Sequence, residues 1–397
     1  MKKLLLTLLV YFSLLSLMNA QENVPDSITN ERLNQSFKQN KVLNNSLLQK
    51  FFRGELNWNF IITPLVGYQP ETSWAFGVAG AYYIKSKEKE GKTGIIGFNG
   101  AYTLNKQWNI NINSTIYFDK KQKWFLYLNT GFRHYPDYFF GIGNNFDNLL
   151  HDSVGKLSPI NYNSNRFYLT MQPQYYIWKN WILGLNLNVR FEEINDLSGN
   201  FENRYDIKCL DKLSMIGLGG LISYDSRNNF FYPTKGLFLK GVATYYEKFL
   251  GSSYRMGKLN IDFRQYINLY KNLIFAYQFI TEWTFTEANQ RPFQMLSTFG
   301  GLEIMRGIRE NVWRDDVMAA MQAELRIPVW KIFKLSAFCN IGDVYNLKKW
   351  DFAVPKIGYG VGLRVQFNNS NSHLRIDVAR QNYDNKFYWY VTVNEAF

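Results

Sequence analysis

The chain has 397 residues, a formal net charge of +13 at pH 7 and an aromatic content of 18%. An excess of Lys and Arg of this size is typical of proteins that bind nucleic acid or acidic lipid headgroups. The two cysteines, Cys209 and Cys339, are too few for a disulfide framework, and we expect them to be unpaired because their sequence contexts differ.

Residues 1–20, MKKLLLTLLVYFSLLSLMNA, have the layout of a secretory signal peptide. Two lysines precede an apolar run from Leu4 to Leu17, and the small residue Ala20 ends the segment. The alternative, a retained N-terminal membrane helix, is disfavoured because the run is short for a span. An exported chain rarely meets nucleic acid, so the basic charge favours outer-membrane lipid as the partner and excludes nucleic acid.

Residues 21–56 are polar and rich in Asn and Gln, and they predict a short periplasmic extension. Beyond the signal, no run of eighteen apolar residues occurs, so the sequence predicts no membrane-spanning helix. An exported, aromatic-rich chain without such a helix has the composition of an outer-membrane β-barrel. We therefore expect residues 57–397 to form a transmembrane β-barrel in the bacterial outer membrane.

Apolar and polar side chains alternate along this region with the period of two that a barrel strand requires. Trp108 and Ile110 share one face, Asn109 and Asn111 share the other, and residues 180–194 repeat the pattern. The alternative is a soluble β-sandwich, whose strands usually have about 5–6 residues. The runs here are about twice as long or more, which is enough to cross a tilted bilayer span.

Counting these runs predicts an all-β fold of sixteen antiparallel strands, an even number as single-chain barrels have. The longest connections follow odd-numbered strands, which predicts that both termini lie in the periplasm and the long loops lie outside. The predicted strands span residues 57–68, 72–85, 92–104, 107–119, 122–134, 163–178, 180–194, 212–225, 235–249, 253–268, 272–287, 316–329, 333–344, 357–368, 372–381 and 386–397.

Several segments of the last third occur together in a specific order: YDSRNNFFYPTKG (224–236), GGLEIMRGIRE (300–310), AELRIPV (323–329), FCNIGDVYN (338–346), GYGVGLRVQF (358–367) and LRIDVA (374–379). Their order and spacing resemble the BamA/TamA family of outer-membrane barrels, the bacterial surface antigen type. The resemblance is strong over roughly 224–397 and weaker over 57–223. It implies that the loop after strand eleven folds into the barrel.

The same resemblance implies how that loop is anchored. Arg306 and Gly307 match the loop motif, Glu324 stands at the acidic partner on strand twelve, and Asn340 stands where a second acidic partner is usual. A guanidinium inside a barrel needs acceptors to offset its desolvation. Because Asn340 carries no charge, we expect a weaker anchor than the family pattern has. The alternative is that Arg306 is a solvated loop residue.

A weak lateral seam between the first and last strands is the second implied feature, because insertase-type members of this family open there. Pro64 lies in the first strand and lacks a backbone donor, so we expect weak pairing with the last strand, which ends at Phe397. Glu395 interrupts the apolar face of the last strand. The alternative is that Pro64 occupies a ladder position that needs no partner.

Residues 21–56 are too short for even one of the periplasmic POTRA domains that assembly members of the family carry. The histidines His134, His151 and His373 are not arranged as a catalytic triad requires, and no Cys/His spacing indicates a metal or cofactor site. We therefore expect a non-enzymatic, POTRA-less barrel that assists insertion or translocation of protein or lipid. The alternative is a passive or plugged pore or scaffold. Protein partners or a second copy of the chain are compatible with either.

Overall fold

The computed structural model describes residues 60–84, 86, 92–151, 157–195, 211–229, 232–287, 290–330, 332–366, 373–384, 386–393 and 395–397. The predicted signal peptide at 1–20, the extension at 21–56 and Cys209 lie outside the described residues. Cys339 is a free, exposed cysteine. In the part of the chain that is described, no helix is long and apolar enough to cross a membrane.

Sixteen antiparallel strands close into one barrel, which confirms the predicted fold class and strand number. Each strand pairs with its neighbours in sequence, and the first strand pairs with the last. The strands are β1 (Phe60–Gln69), β2 (Ser73–Ile84), β3 (Gly94–Thr103), β4 (Trp108–Tyr117), β5 (Trp124–Phe139), β6 (Ile160–Tyr176), β7 (Trp181–Asn195), β8 (Lys212–Asp225), β9 (Gly236–Tyr246), β10 (Met256–Tyr270), β11 (Leu273–Thr286), β12 (Val317–Trp330), β13 (Phe333–Tyr345), β14 (Lys356–Gln366), β15 (His373–Gln381) and β16 (Tyr388–Val393).

The alternation in the sequence becomes an apolar outer face and a polar inner face. On β7, Leu185 is 67% exposed and the next residue, Asn186, is 3% exposed. On β4, Ile110 and Ile112 are exposed, whereas Asn111 donates to Asn129 across the inner face. The outer side chains suit a hydrocarbon environment, and the inner amides satisfy one another through hydrogen bonds.

The connection between β11 and β12 is packed rather than open. It contains a short 3-10 turn (Phe293–Met295) and a two-residue ribbon that pairs Ser297–Thr298 with Arg314–Asp315. Its apolar side chains, among them Met305 and Trp313, are buried in one cluster with residues of the barrel strands. Because burial of apolar surface is the main stabilising term, this segment has a fixed structure of its own.

The last strand is shorter than the sequence predicts. We expected it to span 386–397, but β16 ends at Val393. Phe397 is 4% exposed and packs with Tyr266 of β10 and Ala276 of β11, on a different part of the wall. The prediction was wrong at this end because the apolar pocket beside Tyr266 draws the final residues away from the ladder.

Candidate functional site: an arginine–carboxylate network and the β1–β16 seam

The backbone around Arg306 depends on glycine. Gly300, Gly301 and Gly307 have φ values of 123°, 84° and 96°, a region that favours glycine. A Cβ at Gly307 would lie 2.9 Å from the carbonyl oxygen of Arg380, and the Gly307 N–H donates to the Tyr390 hydroxyl at 3.0 Å. Gly307 therefore permits a close approach of this connection to β15 and β16.

The Arg306 guanidinium is completely buried and binds two carboxylates. Nη2 lies 2.6 Å from Glu324 Oε2 on β12, and Nη1 lies 2.7 Å from Asp377 Oδ2 on β15. Its Cζ stands 3.6 Å from the centre of the Phe338 ring. These contacts contradict the alternative of a solvated Arg306, whose side chain has 0% exposure.

Asn340 lies beside Arg306 in a different role from the one expected. Its Nδ2 donates to the Arg306 carbonyl oxygen at 3.1 Å, so it holds the backbone and not the guanidinium. The second carboxylate is Asp377, which the sequence reasoning missed. The expectation of a weaker anchor rested on the missing charge at Asn340, and a strand other than β13 supplies that charge.

Arg306 belongs to a larger buried network. Four arginines share three carboxylates, and each arginine is at most 1% exposed: Arg306, Arg326, Arg364 and Arg375, with Glu324, Asp377 and Glu395. Glu324 binds Arg326 Nε at 2.9 Å and Arg364 Nη2 at 3.3 Å in addition to Arg306. A buried charge is tolerated when opposite charges and hydrogen bonds surround it, as they do here.

The end of the described chain joins this network and does not lie at the seam. Glu395 Oε2 is 2.8 Å from Arg364 Nε, and the Phe397 main-chain oxygen accepts from Arg326 Nη2 at 3.0 Å. The assignment of Phe397 to the lateral seam was therefore wrong. The arginines on the inner wall bind the final residues, which cannot then continue the strand.

The connection between β8 and β9 reaches the same arginines. The Pro233 carbonyl accepts from Arg326 Nη1 at 3.3 Å, and the Tyr232 ring lies 4.4 Å from the ring of His373. Lys334 Nζ stands 3.8 Å from the Tyr232 ring centre and 2.8 Å from His373 Nε2. Burial raises the pKa of the Tyr232 hydroxyl above its ordinary value.

The seam, meaning the contact between β1 and β16, contains one register pair among the described residues, Tyr68 with Val391. By contrast, β1 and β2 are paired at every residue from Phe60 to Gln69. Pro64 is paired with Val78 on the β2 side and has no register partner on β16. Most of β1 therefore lacks a ladder towards β16 in the described residues.

The histidines do not form a catalytic arrangement with one another. His134 Nδ1 is 2.7 Å from Asn165 Oδ1 on the wall, and His373 contacts Lys334. His151 lies in the connection after β5, beside the Phe146 ring. In the described portion, no three His, Cys, Asp or Glu side chains are grouped as a metal site requires.

Comparison with protein families identifies this architecture, since the model of the Omp85 superfamily domain matches residues 90–397. The chain belongs to the Omp85 superfamily. The resemblance to BamA/TamA-type barrels is thereby confirmed, and the protein is a bacterial outer-membrane protein. No curated protein matches the chain in sequence.

Solved structures of Omp85 barrels share the fold. BamA from Haemophilus ducreyi lacking POTRA domains 1–3 matches with a TM-score of 0.61 at 15% identity, over 85% of this chain and 70% of that one. CdiB from Acinetobacter baumannii matches with a TM-score of 0.51 at 12% identity, over 84% of this chain and 59% of that one. CdiB from Escherichia coli matches with a TM-score of 0.53 at 9% identity, over 85% and 63%. The chain thus spans less than two thirds of either CdiB.

Proposed function

We propose that this barrel assists the insertion or translocation of protein at the outer membrane through transient opening of the β1–β16 seam. The observation that carries the proposal is that the described residues of the seam form a single register pair. Each missing ladder position removes backbone hydrogen bonds that would otherwise hold the two strands together. Membership of the Omp85 superfamily and the likeness to BamA and CdiB support this function.

We further propose that the connection between β11 and β12 lies within the barrel and that the arginine network holds it there. Contacts from Arg306 to Glu324 and Asp377 support this placement, because both carboxylates are on the inner, polar face of the wall. In this arrangement the connection obstructs the lumen, and the seam is the remaining route for a client. We infer a non-enzymatic role, with protein partners and outer-membrane lipid around the barrel.

A disulfide across the seam tests the proposal. Tyr68 and Val391 are directly opposed, so a Tyr68→Cys, Val391→Cys pair has the spacing that a disulfide needs. The variant carries Cys209→Ser and Cys339→Ser to remove competing thiols. We expect the oxidised protein in liposomes to lose its acceleration of the folding of an outer-membrane barrel client, and reductant to restore it.

The matched control is a Val66→Cys, Phe76→Cys pair, which locks the fully paired β1–β2 contact in the same background. This control should leave the activity unchanged. A passive or plugged scaffold is the second candidate, and the packed connection after β11 favours it. Full activity with the seam locked, or no acceleration by the wild-type protein, would support that candidate against ours.

A further inference from the structure

A cavity of about 510 Å³ opens on the inner face of β5–β11, next to Met295 of the connection after β11. Its lining comes mainly from alternate residues of β6, β7, β9 and β10, with one residue each from β5 and β11. Volumes of this order accommodate a small molecule with several polar groups. The arginine network around Arg306 does not line this cavity, so the cavity is a separate candidate site.

One end of the cavity holds an excess of positive charge. Arg133 on β5 and Arg166 on β6 are directly opposed in the ladder, a placement that like charges disfavour. Arg190 on β7 completes the cluster, and Glu192 binds both Arg166, at 2.6 Å, and Arg190, at 2.9 Å. Arg133 has no ion pair with any described carboxylate, and its buried Nε has no hydrogen-bond partner among the residues that the structure describes. Among the described residues, Glu192 is the one carboxylate in ion-pair contact with any of these three guanidiniums, and Glu310 acts on Arg133 only from a longer distance.

Lys240 is a further cation that lines the cavity. Lys240 Nζ contacts the amide oxygen of Gln172 at 3.3 Å and forms no ion pair within the described part of the chain. Other cations nearby are neutralised, since Lys258 binds Glu282 at 2.8 Å. The surplus charge is thus localised at the arginine cluster and at Lys240, and a bound anion would relieve it.

The wall between these cations is built of amides and hydroxyls. Asn186 donates to Thr244 at 2.8 Å and accepts from Gln172 at 2.9 Å, while Asn188 accepts from the Tyr246 hydroxyl at 2.9 Å. These hydrogen bonds fix the side chains in place. Each amide and hydroxyl retains further donor or acceptor capacity, which suits the hydroxyl groups of a ligand.

We propose that this cavity binds a phosphorylated sugar, with the phosphate at Arg133, Arg166 and Arg190 and the sugar hydroxyls on the amide wall. Guanidinium groups match phosphate oxygens in a two-point geometry, and several of them together favour a dianion. The same chemical group occurs in free sugar phosphates and in the headgroups of phosphorylated glycolipids. The site does not depend on seam opening, so it stands apart from the proposed function.

Titration calorimetry on the purified barrel in detergent tests the site with glucose 6-phosphate, glucose and solubilised lipid A as probes. We expect glucose 6-phosphate to bind and glucose to show no binding. Arg133→Gln leaves the Glu192 ion pairs intact and should weaken binding by about tenfold, whereas Arg133→Lys should recover part of the loss. Lys120→Gln is the control, because it removes the same charge from an exposed turn.

Three outcomes would overturn the proposal: no binding of either phosphorylated probe to the wild-type protein, glucose binding as tightly as its phosphate, or equal weakening by Lys120→Gln and Arg133→Gln. Binding of lipid A alone, with the same dependence on Arg133, would assign the phosphate to a lipid headgroup. Lys240→Gln provides a second variant if Arg133→Gln does not fold, as judged by heat-modifiable migration on gels.

Discussion

Arg306 ties the connection after β11 to two strands at once, because Glu324 lies on β12 and Asp377 on β15. Arg306→Ala would leave Glu324 with Arg326 and Arg364, and Asp377 with Arg364 and Arg375, so neither carboxylate becomes unpaired. The cost should therefore fall below the roughly 3–5 kcal/mol typical of an orphaned buried charge. We expect the variant to keep a folded barrel and to expose residues 290–316 to protease.

Limited proteolysis, with heat-modifiable migration as the check on barrel folding, measures this effect. Arg309→Ala is the matched control in the same connection, since the Arg309 guanidinium lies over the rings of Tyr138 and Phe140 at 4.8 and 5.4 Å. Equal protection of the segment in wild-type protein and in Arg306→Ala would show that the ion pairs do not hold it.

Asp377 is the more sensitive residue, because it accepts from Arg306 and Arg364 and lies 3.5 Å from Arg375. Asp377→Asn keeps the shape but removes the one carboxylate with which Arg375 forms an ion pair among the described residues, so a buried guanidinium is orphaned. We expect a loss of about 3–5 kcal/mol in the free energy of unfolding. The urea midpoint in detergent should fall relative to Asp384→Asn, the same change in a turn. Equal midpoints for the two variants would contradict the network's role in stability.

The contrast between Glu324 and Asp377 shows what a sequence reveals at this scale. Gly307 and Glu324 lie in segments that resemble the family's loop motif and the strand after it, so the resemblance alone assigns them to the loop anchor. Asp377 stands in LRIDVA, where alternation predicts an inward carboxylate but gives no partner. Arg306 lies 71 residues away in sequence, and only the closure of the barrel brings the two together.

Individual strands were predictable because a two-residue period is a local property that each run carries by itself. Sixteen runs gave sixteen strands, with most limits displaced by a few residues. The predicted end of the last strand was wrong because the final residues continue the alternation in sequence. The position of Phe397 depends instead on Arg326 and Tyr266, which are distant in the chain. A weak seam was expected from the family resemblance and from Pro64, but the register between β1 and β16 could not be read from either strand alone.

The single register pair between β1 and β16 predicts that backbone amides at the seam are less protected from deuterium exchange than amides elsewhere in the barrel. Amides of β1 and β16 that lack a ladder partner should exchange with deuterium faster than those of β13, which is paired along both edges. Hydrogen-exchange mass spectrometry of the barrel in detergent gives this comparison within one sample. Protection of β16 equal to that of β13 would mean that the seam is as closed as any other contact.

At the scale of the whole molecule, one arginine–carboxylate network contacts three separate parts of the chain: the connection after β11, the connection between β8 and β9, and the final residues. The first contributes Arg306 to the network. The second and third are bound through the carbonyls of Pro233 and Phe397 by Arg326, and Glu395 of the final residues binds Arg364. We interpret these three segments as obstructions stacked along the barrel axis. Arg326 follows Glu324 by two residues on β12, so the Pro233 and Phe397 contacts lie one inward-facing position closer to the β12–β13 turn.

If the three segments block the barrel one after another, single and double variants should differ in ion conductance. From the sequence alone, Arg306→Ala would be expected to raise conductance by itself. With Phe397 and Pro233 still bound to Arg326, the path should remain blocked further along. Phe397→Ala loosens the tail by removing the ring that packs with Tyr266 and Ala276, but by itself it should leave the connection after β11 in place. We expect each single variant to change single-channel conductance in planar bilayers only slightly. The double variant Arg306→Ala, Phe397→Ala should exceed the sum of the two.

The matched comparison is Arg309→Ala with Phe397→Ala, which removes the same number of side chains but keeps the Arg306 ion pairs. This double variant should conduct like Phe397→Ala alone. If Arg306→Ala by itself opens the barrel fully, the tail does not obstruct the lumen, and its contact with Arg326 serves stability only. If the double variant stays closed, the β8–β9 connection around Pro233 is the remaining block, and Tyr232→Ala in the same background should then release it, because Tyr232 packs that connection against His373 and Lys334.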